Sequence, residues 1–196
     1  MKLSESTVNL LKNFSSINQS ILFKQGSKLR SISVMKNILV EAEIAEEFPK
    51  DFGIYDLNQF LNGLSLHSAP DLDFTRDEFV VIKEGKMRSK YFFADPTVIV
   101  SPPEKEITLP TEDVEFELTS QQLEKLKKAA SVYQLPDISV VGETDAEFVF
   151  NFKEENLKII PGAYDVVVSS KLLSRFTNKN MSVSYYIALE PDSTFE

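Results

Sequence analysis

The chain of 196 residues contains no cysteine, which rules out a disulfide framework and thiolate metal sites, and fits a reducing compartment. It has a single histidine, His67, so neither a His-x-x-x-His zinc pair nor a histidine-rich catalytic cluster can be assembled. No glycine-rich loop ends in Lys-Ser or Lys-Thr, which removes the usual phosphate-cradling turn. The start, Met1-Lys2-Leu3-Ser4-Glu5-Ser6, lacks an apolar core of signal-peptide length, and no later run is long enough to span a bilayer. A cytoplasmic protein is expected. Positive charge is also scarce: the formal net charge is −9, so the chain as a whole is repelled by nucleic acid and any DNA contact must come from a local basic patch. An enzyme is not expected.

What is present is ordered around one stretch, 93–110, which holds Pro96, Pro102, Pro103 and Pro110. Each proline removes a donor, fixes φ and pushes its predecessor toward extended geometry, so neither a helix nor a central strand can run through. Val98, Ile99, Val100, Ile107 and Leu109 make the stretch too apolar for a free tether. It reads as a stiff connector, 94–112, packed on a domain at each side, 1–93 and 113–196.

The two sides repeat. From Ser4 to Ile17 an amphipathic helix is expected, with Leu10, Leu11, Phe14 and Ile17 on one face and Glu5, Asn9, Lys12 and Ser16 on the other. Short strands follow around Ile21–Phe23, Leu29–Val34, Ile38–Ile44 and Phe52–Tyr55. Asp56 then caps a second helix whose buried face is Leu57, Phe60, Leu61 and Leu64, with Gln59 placed for a capping-box return. Strands Leu72–Phe74, Phe79–Lys83 and Met87–Phe93 complete the first half. Beyond the connector, Leu118-Thr119-x-x-Gln122-Leu123-x-x-Leu126 answers Leu3-Ser4-x-x-Thr7-Val8-x-x-Leu11. That helix runs to about Tyr133, with Leu123, Leu126, Ala130 and Tyr133 inward. Strands Ile138–Val141 and Glu147–Phe152, a short helix Glu154–Ile160, and strands Tyr164–Ser169 and Val183–Leu189 follow. The fold class is α+β, a duplication with helices on one face of antiparallel sheets, the second half being shorter between its helices.

Three stretches carry a family resemblance. They are the start, Met1-Lys2-Leu3-Ser4 with Leu10-Leu11-Lys12-Asn13-Phe14 and Ile17-Asn18; then Ile54-Tyr55-Asp56-Leu57-Asn58-x-Phe60-Leu61; and the end, Tyr185-Tyr186-Ile187-Ala188-Leu189-Glu190-Pro191-Asp192-Ser193-Thr194. In this order and spacing, with Ala94-Asp95-Pro96 opening the connector, the sequence resembles the DNA polymerase sliding clamps (processivity factors) of T-even-type phages. The resemblance implies duplicated clamp domains in a homotrimeric ring, with helices lining a hole through which double-stranded DNA threads without base-specific contacts. It further implies an ATP-dependent clamp loader, a docked DNA polymerase C-terminal peptide, no cofactor, and action in the cytoplasm of the infected host cell. The shortened second half implies a smaller subunit contact than the family norm.

The residues fit that picture in two groups. Lys12 with Lys2, Lys125, Lys127 and Lys128, and Lys153 and Lys158 bracketing the fourth helix, form a candidate DNA-facing set, because flexible ammonium groups meet phosphates as point charges. The competing explanation is a solvated face with Glu124 and Lys128 paired at i,i+4. Val98, Ile99 and Val100 of the connector, with Tyr186, Ile187, Ala188 and Leu189 of the last strand, form a candidate groove for a partner peptide. The same residues also suit ordinary core packing. Asp71 and Asp73 share a strand face and could hold Mg²⁺, though paired carboxylates in an acidic protein are usually solvated. His67 is expected as a surface or cap residue. The alternatives to a clamp are a phage structural or assembly protein without a DNA role and a metal-dependent hydrolase.

Overall fold

A computed structural model describes residues 1–105, 120–134, 137–142, 148–151, 158–160, 163–169 and 183–187, with side chains for 1–105 and 121–134. The chain groups into two compact units, Met1–Glu106 together with Asn178–Glu196, and Ile107–Thr177.

The first unit opens with helix α1, Glu5–Ile17, which buries Thr7, Leu10, Leu11, Phe14 and Ile17. Ser4 caps it, accepting from Thr7 N–H at 3.2 Å. The Thr7 hydroxyl donates to Glu46 at 2.7 Å, so a carboxylate from β3 sits over the helix N-terminus. Strands β1 (Ile21–Phe23), β2 (Gly26–Ile32), β3 (Ile38–Phe48) and β4 (Phe52–Ile54) follow. Strands β1 and β4 pair with each other, and β2 pairs with β3. Gly26, at φ 112, supplies the left-handed residue at the irregularity that starts β2. Phe23 stacks on Phe52 at 4.6 Å, and Phe48 and Phe74 close the cluster at 5.5 and 5.1 Å from Phe52.

Helix α2, Leu57–Ser65, buries Leu57, Phe60, Leu61 and Leu64, as its periodicity predicts. Asp56 caps it through Gln59 N–H at 2.9 Å. The Asp56 N–H, which a capping box would give to Gln59, donates to the Tyr91 hydroxyl at 3.3 Å, and Gln19 Nε2 donates to the Asp56 carboxylate at 3.0 Å. Strands β5 (Asp71–Asp73), β6 (Phe79–Glu84) and β7 (Met87–Phe92) then form an antiparallel sheet with β7 at its edge.

The connector is followed as far as residue 105. It starts with an Ala94–Gly53 bridge, Ala94 N–H donating to the Gly53 carbonyl at 2.9 Å. Pro96–Val98 form one turn of 3-10 helix, capped by Asp95, which accepts from Thr97 N–H at 2.9 Å. A local turn therefore interrupts the extended strap that the prolines predict, because Pro96 suits the first position of such a turn. Ile99 is buried, Asn18 Nδ2 donates to the Val100 carbonyl at 3.4 Å, and Arg30 Nη1 donates to the Pro103 carbonyl at 2.8 Å.

In the second unit, helix α3 (Ser120–Tyr133) is followed by β8 (Asp137–Gly142), β9 (Phe148–Asn151), β10 (Lys158–Ile160) and β11 (Ala163–Ser169). The strands form one antiparallel sheet in the order β10-β11-β8-β9. Residues 158–160 are strand, not the end of the expected fourth helix: Ile159 and Ile160 are β-branched and pair with Tyr164 and Ala163. The expected segment 154–157 lies outside the described residues. Strand β12, Val183–Ile187, pairs antiparallel with β3 in the first unit, Ile187 opposite Ile38 and Val183 opposite Ala42.

Candidate nucleic-acid interface and docking surface

Helices α1 and α2 pack together and bury one face each, which leaves their polar faces outward. Lys12 is exposed on α1, beside a shallow groove lined by Val8, Asn9, Leu61 and Leu64, and Lys2 is exposed just before the helix. On α3, Lys125 and Lys128 are exposed while Leu123 and Ala130 are buried. Lys127 is half-buried and its ammonium pairs with Glu124 at 3.1 Å. This ion pair within the helix is i,i+3 and engages Lys127, where the competing solvated-face explanation would pair Glu124 with Lys128. Tyr133 is not inward: it is 70% exposed, next to Val132 at 65%. It is the last helical residue, and Gln134 at φ 52 turns the chain out of the helix there. Lys158 begins β10, and Lys153 lies outside the described residues.

The docking candidates divide. Val98 is 56% exposed on its capped turn, whereas Ile99 is 7% exposed and lies against Gly53. Val100 is half-buried. Tyr186 and Ile187 occupy register positions opposite Leu39 and Ile38, and Ala188 and Leu189 lie outside the described residues. Beside the connector a cleft of about 190 Å³ has Leu22 and Pro102 as apolar lining and Lys28, Arg30 and Glu104 as charged lining. Arg30 is held there by Glu41 at 3.1 Å. Sequence reading missed Val34 and Met35, exposed in the turn of the β2–β3 hairpin between Ile32 and Ile38. The tip holds no glycine or proline; its signal is the Ser33 hydroxyl, which accepts from the Asn37 and Ile38 N–H groups.

The catalytic candidates do not assemble. Lys83 sits 3.6 Å from Asp71 and 3.4 Å from Asp73, so an ammonium occupies the space between the two carboxylates. His67 is buried rather than surface-exposed: its N–H donates to the Leu64 carbonyl at the end of α2, and its Nδ1 is 3.8 Å from Glu84. Among the described residues, no helix is long and apolar enough to cross a membrane.

Comparison with known proteins decides the family. The profile described as DNA polymerase processivity factor matches residues 2–101. The "Sliding clamp" of Vibrio phage KVP40 is 32% identical over 97% of this chain and 99% of its own. That of Escherichia phage RB69 is 31% identical over the whole of both chains. The chain belongs to the sliding-clamp family of phage DNA polymerase processivity factors. Both alignments run over more residues, 222 and 233, than the 196 of this clamp, so the relatives carry insertions relative to it. A. fulgidus PCNA, solved with the C-terminal region of FEN-1 bound, has the same fold. It superposes with a TM-score of 0.56 at 15% identity, over 90% of this chain and 82% of its own. The α+β clamp fold and the processivity-factor reading stand; the assembly-protein alternative gives way to them.

Proposed function

We propose that this clamp closes as a homotrimeric ring around double-stranded DNA and tethers the replicative polymerase by a peptide docked at the connector. It has two clamp domains, 1–93 and 113–196, joined by 94–112, with ring opening left to an ATP-dependent loader and the work done in the host cytoplasm. The observation that carries the DNA-facing assignment is α3, where Lys125 and Lys128 stand exposed on the side opposite Leu123 and Ala130. Lysines so placed attract phosphates without reading sequence. Lys2 and Lys12 extend the same set on the first unit, with Lys153 and Lys158 as its remaining members. For docking, Val98 is the exposed anchor, Val34 and Met35 are exposed in the β2–β3 turn, and Ile187 occupies the register position opposite Ile38 at the start of β3. The bound FEN-1 tail on the A. fulgidus clamp supports peptide capture as the mode of partner binding. The protein acts by binding alone, with no chemical step of its own.

The test is primer extension on a circular template with polymerase, loader and clamp. The parent should lengthen the products; Lys12→Glu/Lys125→Glu/Lys128→Glu should shorten them while its circular dichroism is unchanged. Full-length products from the folded triple variant would refute the DNA-facing assignment.

A further inference from the structure

The polar face of the first unit is unlike that of α3. On α1 the outward stripe includes Glu5, Asn9 and Lys12, and on α2 it is Asn58, Asn62 and Ser65. Glu5 and Lys12 cancel, and α2 carries no charged residue at all within Leu57–Ser65. By contrast α3 sets Lys125, Lys127 and Lys128 against Glu124 alone. The Ser65 hydroxyl donates to the Asn62 carbonyl at 2.8 Å, so the exposed amides of α2 are those of Asn58 and Asn62, one turn apart, with Gln59 on their flank.

We propose that Asn58 and Asn62 form a neutral hydrogen-bonding track for the sugar–phosphate backbone of double-stranded DNA, while the α3 lysines supply the salt-dependent hold. This rests on the DNA-encircling reading above. A lysine that neutralises a phosphate releases counterions and binds as a charge-assisted contact. An amide donor, directly or through one water, contacts the same oxygen without adding a cation and so without that release. A ring that must slide benefits from a surface that holds the duplex at distance without gripping it. Concentrating the charge on α3 while α2 presents only neutral donors achieves that.

The experiment measures association of a short blunt linear duplex with the clamp by fluorescence anisotropy across a salt series, using the full-length protein. Asn58→Ala/Asn62→Ala should weaken binding about threefold, as two small neutral contacts allow, and leave the salt slope unchanged. Asn58→Lys/Asn62→Lys should tighten binding and steepen the log–log slope by about 0.9 for each phosphate newly neutralised. Lys125→Glu/Lys128→Glu should lower both affinity and slope. If the α3 variant responds while both asparagine variants match the parent, the track is wrong and the DNA reading stands. If no variant changes binding, the DNA reading fails with it. Asparagine variants that leave the duplex untouched but impair loader-driven ring opening would assign the face to a protein and overturn the track.

Discussion

Replacing Gly53 with alanine should loosen the start of the connector from the first unit. Gly53 lies in β4, fully buried, and bridges to Ala94. A Cβ there would stand 2.5 Å from Ile99 Cδ1 and 2.8 Å from the Ala94 carbonyl oxygen. The Ile99 methyl belongs to a side chain that can turn, but the Ala94 oxygen is backbone, locked by the Ala94 N–H bond to the Gly53 carbonyl at 2.9 Å. Overpacking of this kind costs about 1–3 kcal/mol. Because Gly53 is not in a left-handed conformation, alanine also restricts the unfolded chain, which returns roughly 0.4–1 kcal/mol. The expected net loss is about 1–2 kcal/mol, or about 3 °C in Tm per kcal/mol for a protein of this size. Ile99→Val removes the nearer clash at its own cost of about 0.5–1.5 kcal/mol. The double variant should therefore be more stable than the sum of the singles by about 0.5 kcal/mol or more. Urea denaturation of the four proteins measures all of this, and the polymerase-tail peptide should bind Gly53→Ala more weakly although no docking residue has changed. A neutral or stabilised Gly53→Ala, or strict additivity with Ile99→Val, would refute the reasoning.

Asn18→Ala should cost about 2–3 kcal/mol in urea melts, because the buried Asn18 amide serves the Ile32 carbonyl at 2.7 Å and the Ser20 N–H at 2.9 Å, both left without a partner. A polymerase C-terminal peptide should bind at around micromolar affinity. Val98→Asp should weaken that binding at least tenfold without lowering Tm, and truncation after Leu189 should also weaken it, both read by calorimetry. Burial alone would raise the Glu46 pKa, but hydrogen bonds from Thr7 and Ser4 outweigh it and hold the carboxyl below its ordinary value. Asp51, through the Gln25 N–H and Lys24, and Asp95, through Thr97, are held low as well. Their stabilisation is full above an ordinary carboxylate pKa near 4 and is lost as pH falls through the lower folded values, so melts should fall off below about pH 4 and Glu46→Gln should blunt that fall. Native mass spectrometry should show trimer giving way to monomer on dilution, and a chain that stays monomeric at high concentration would contradict the ring.

The helices were legible because their signals are local. Ser4 and Asp56 as caps, with apolar residues three and four apart, locate the starts of α1 and α2 to within a residue or so. Strand ends were blurred where turns lack glycine: the β2–β3 tip contains Ser33 to Asn37, and nothing in the composition says that Val34 and Met35 leave the core. The position of β12 was not legible. Its alternation marks a strand, but pairing with β3 across most of the chain is a tertiary choice that periodicity does not carry. Tyr133 fits the helical face yet stands exposed, because a periodic pattern does not reveal where the covering surface stops. His67 was misplaced for the same reason in reverse: its burial depends on β6, where Glu84 accepts from Ser68 and Ala69 and brings its carboxylate close to the imidazole.

The fixings around the connector explain why a short exposed anchor suffices for docking. Residue 98 protrudes, yet its neighbours on both sides are tied down. Asp95 caps the turn before it, Ile99 is packed on Gly53 after it, and Val100 is held through Asn18 and Pro103 through Arg30. A partner that meets Val98 therefore finds it already in one conformation, and the ordering cost of binding falls on the partner's tail alone. The same ties make the connector sensitive to changes remote from its surface. Asn18 terminates α1, Gly53 belongs to β4 and Arg30 to β2, so three separate elements of the first unit set the path of one strap. A variant at any of the three should weaken docking through the position of Val98 rather than through contact, whereas Val98→Asp acts on the contact itself and leaves the fold intact.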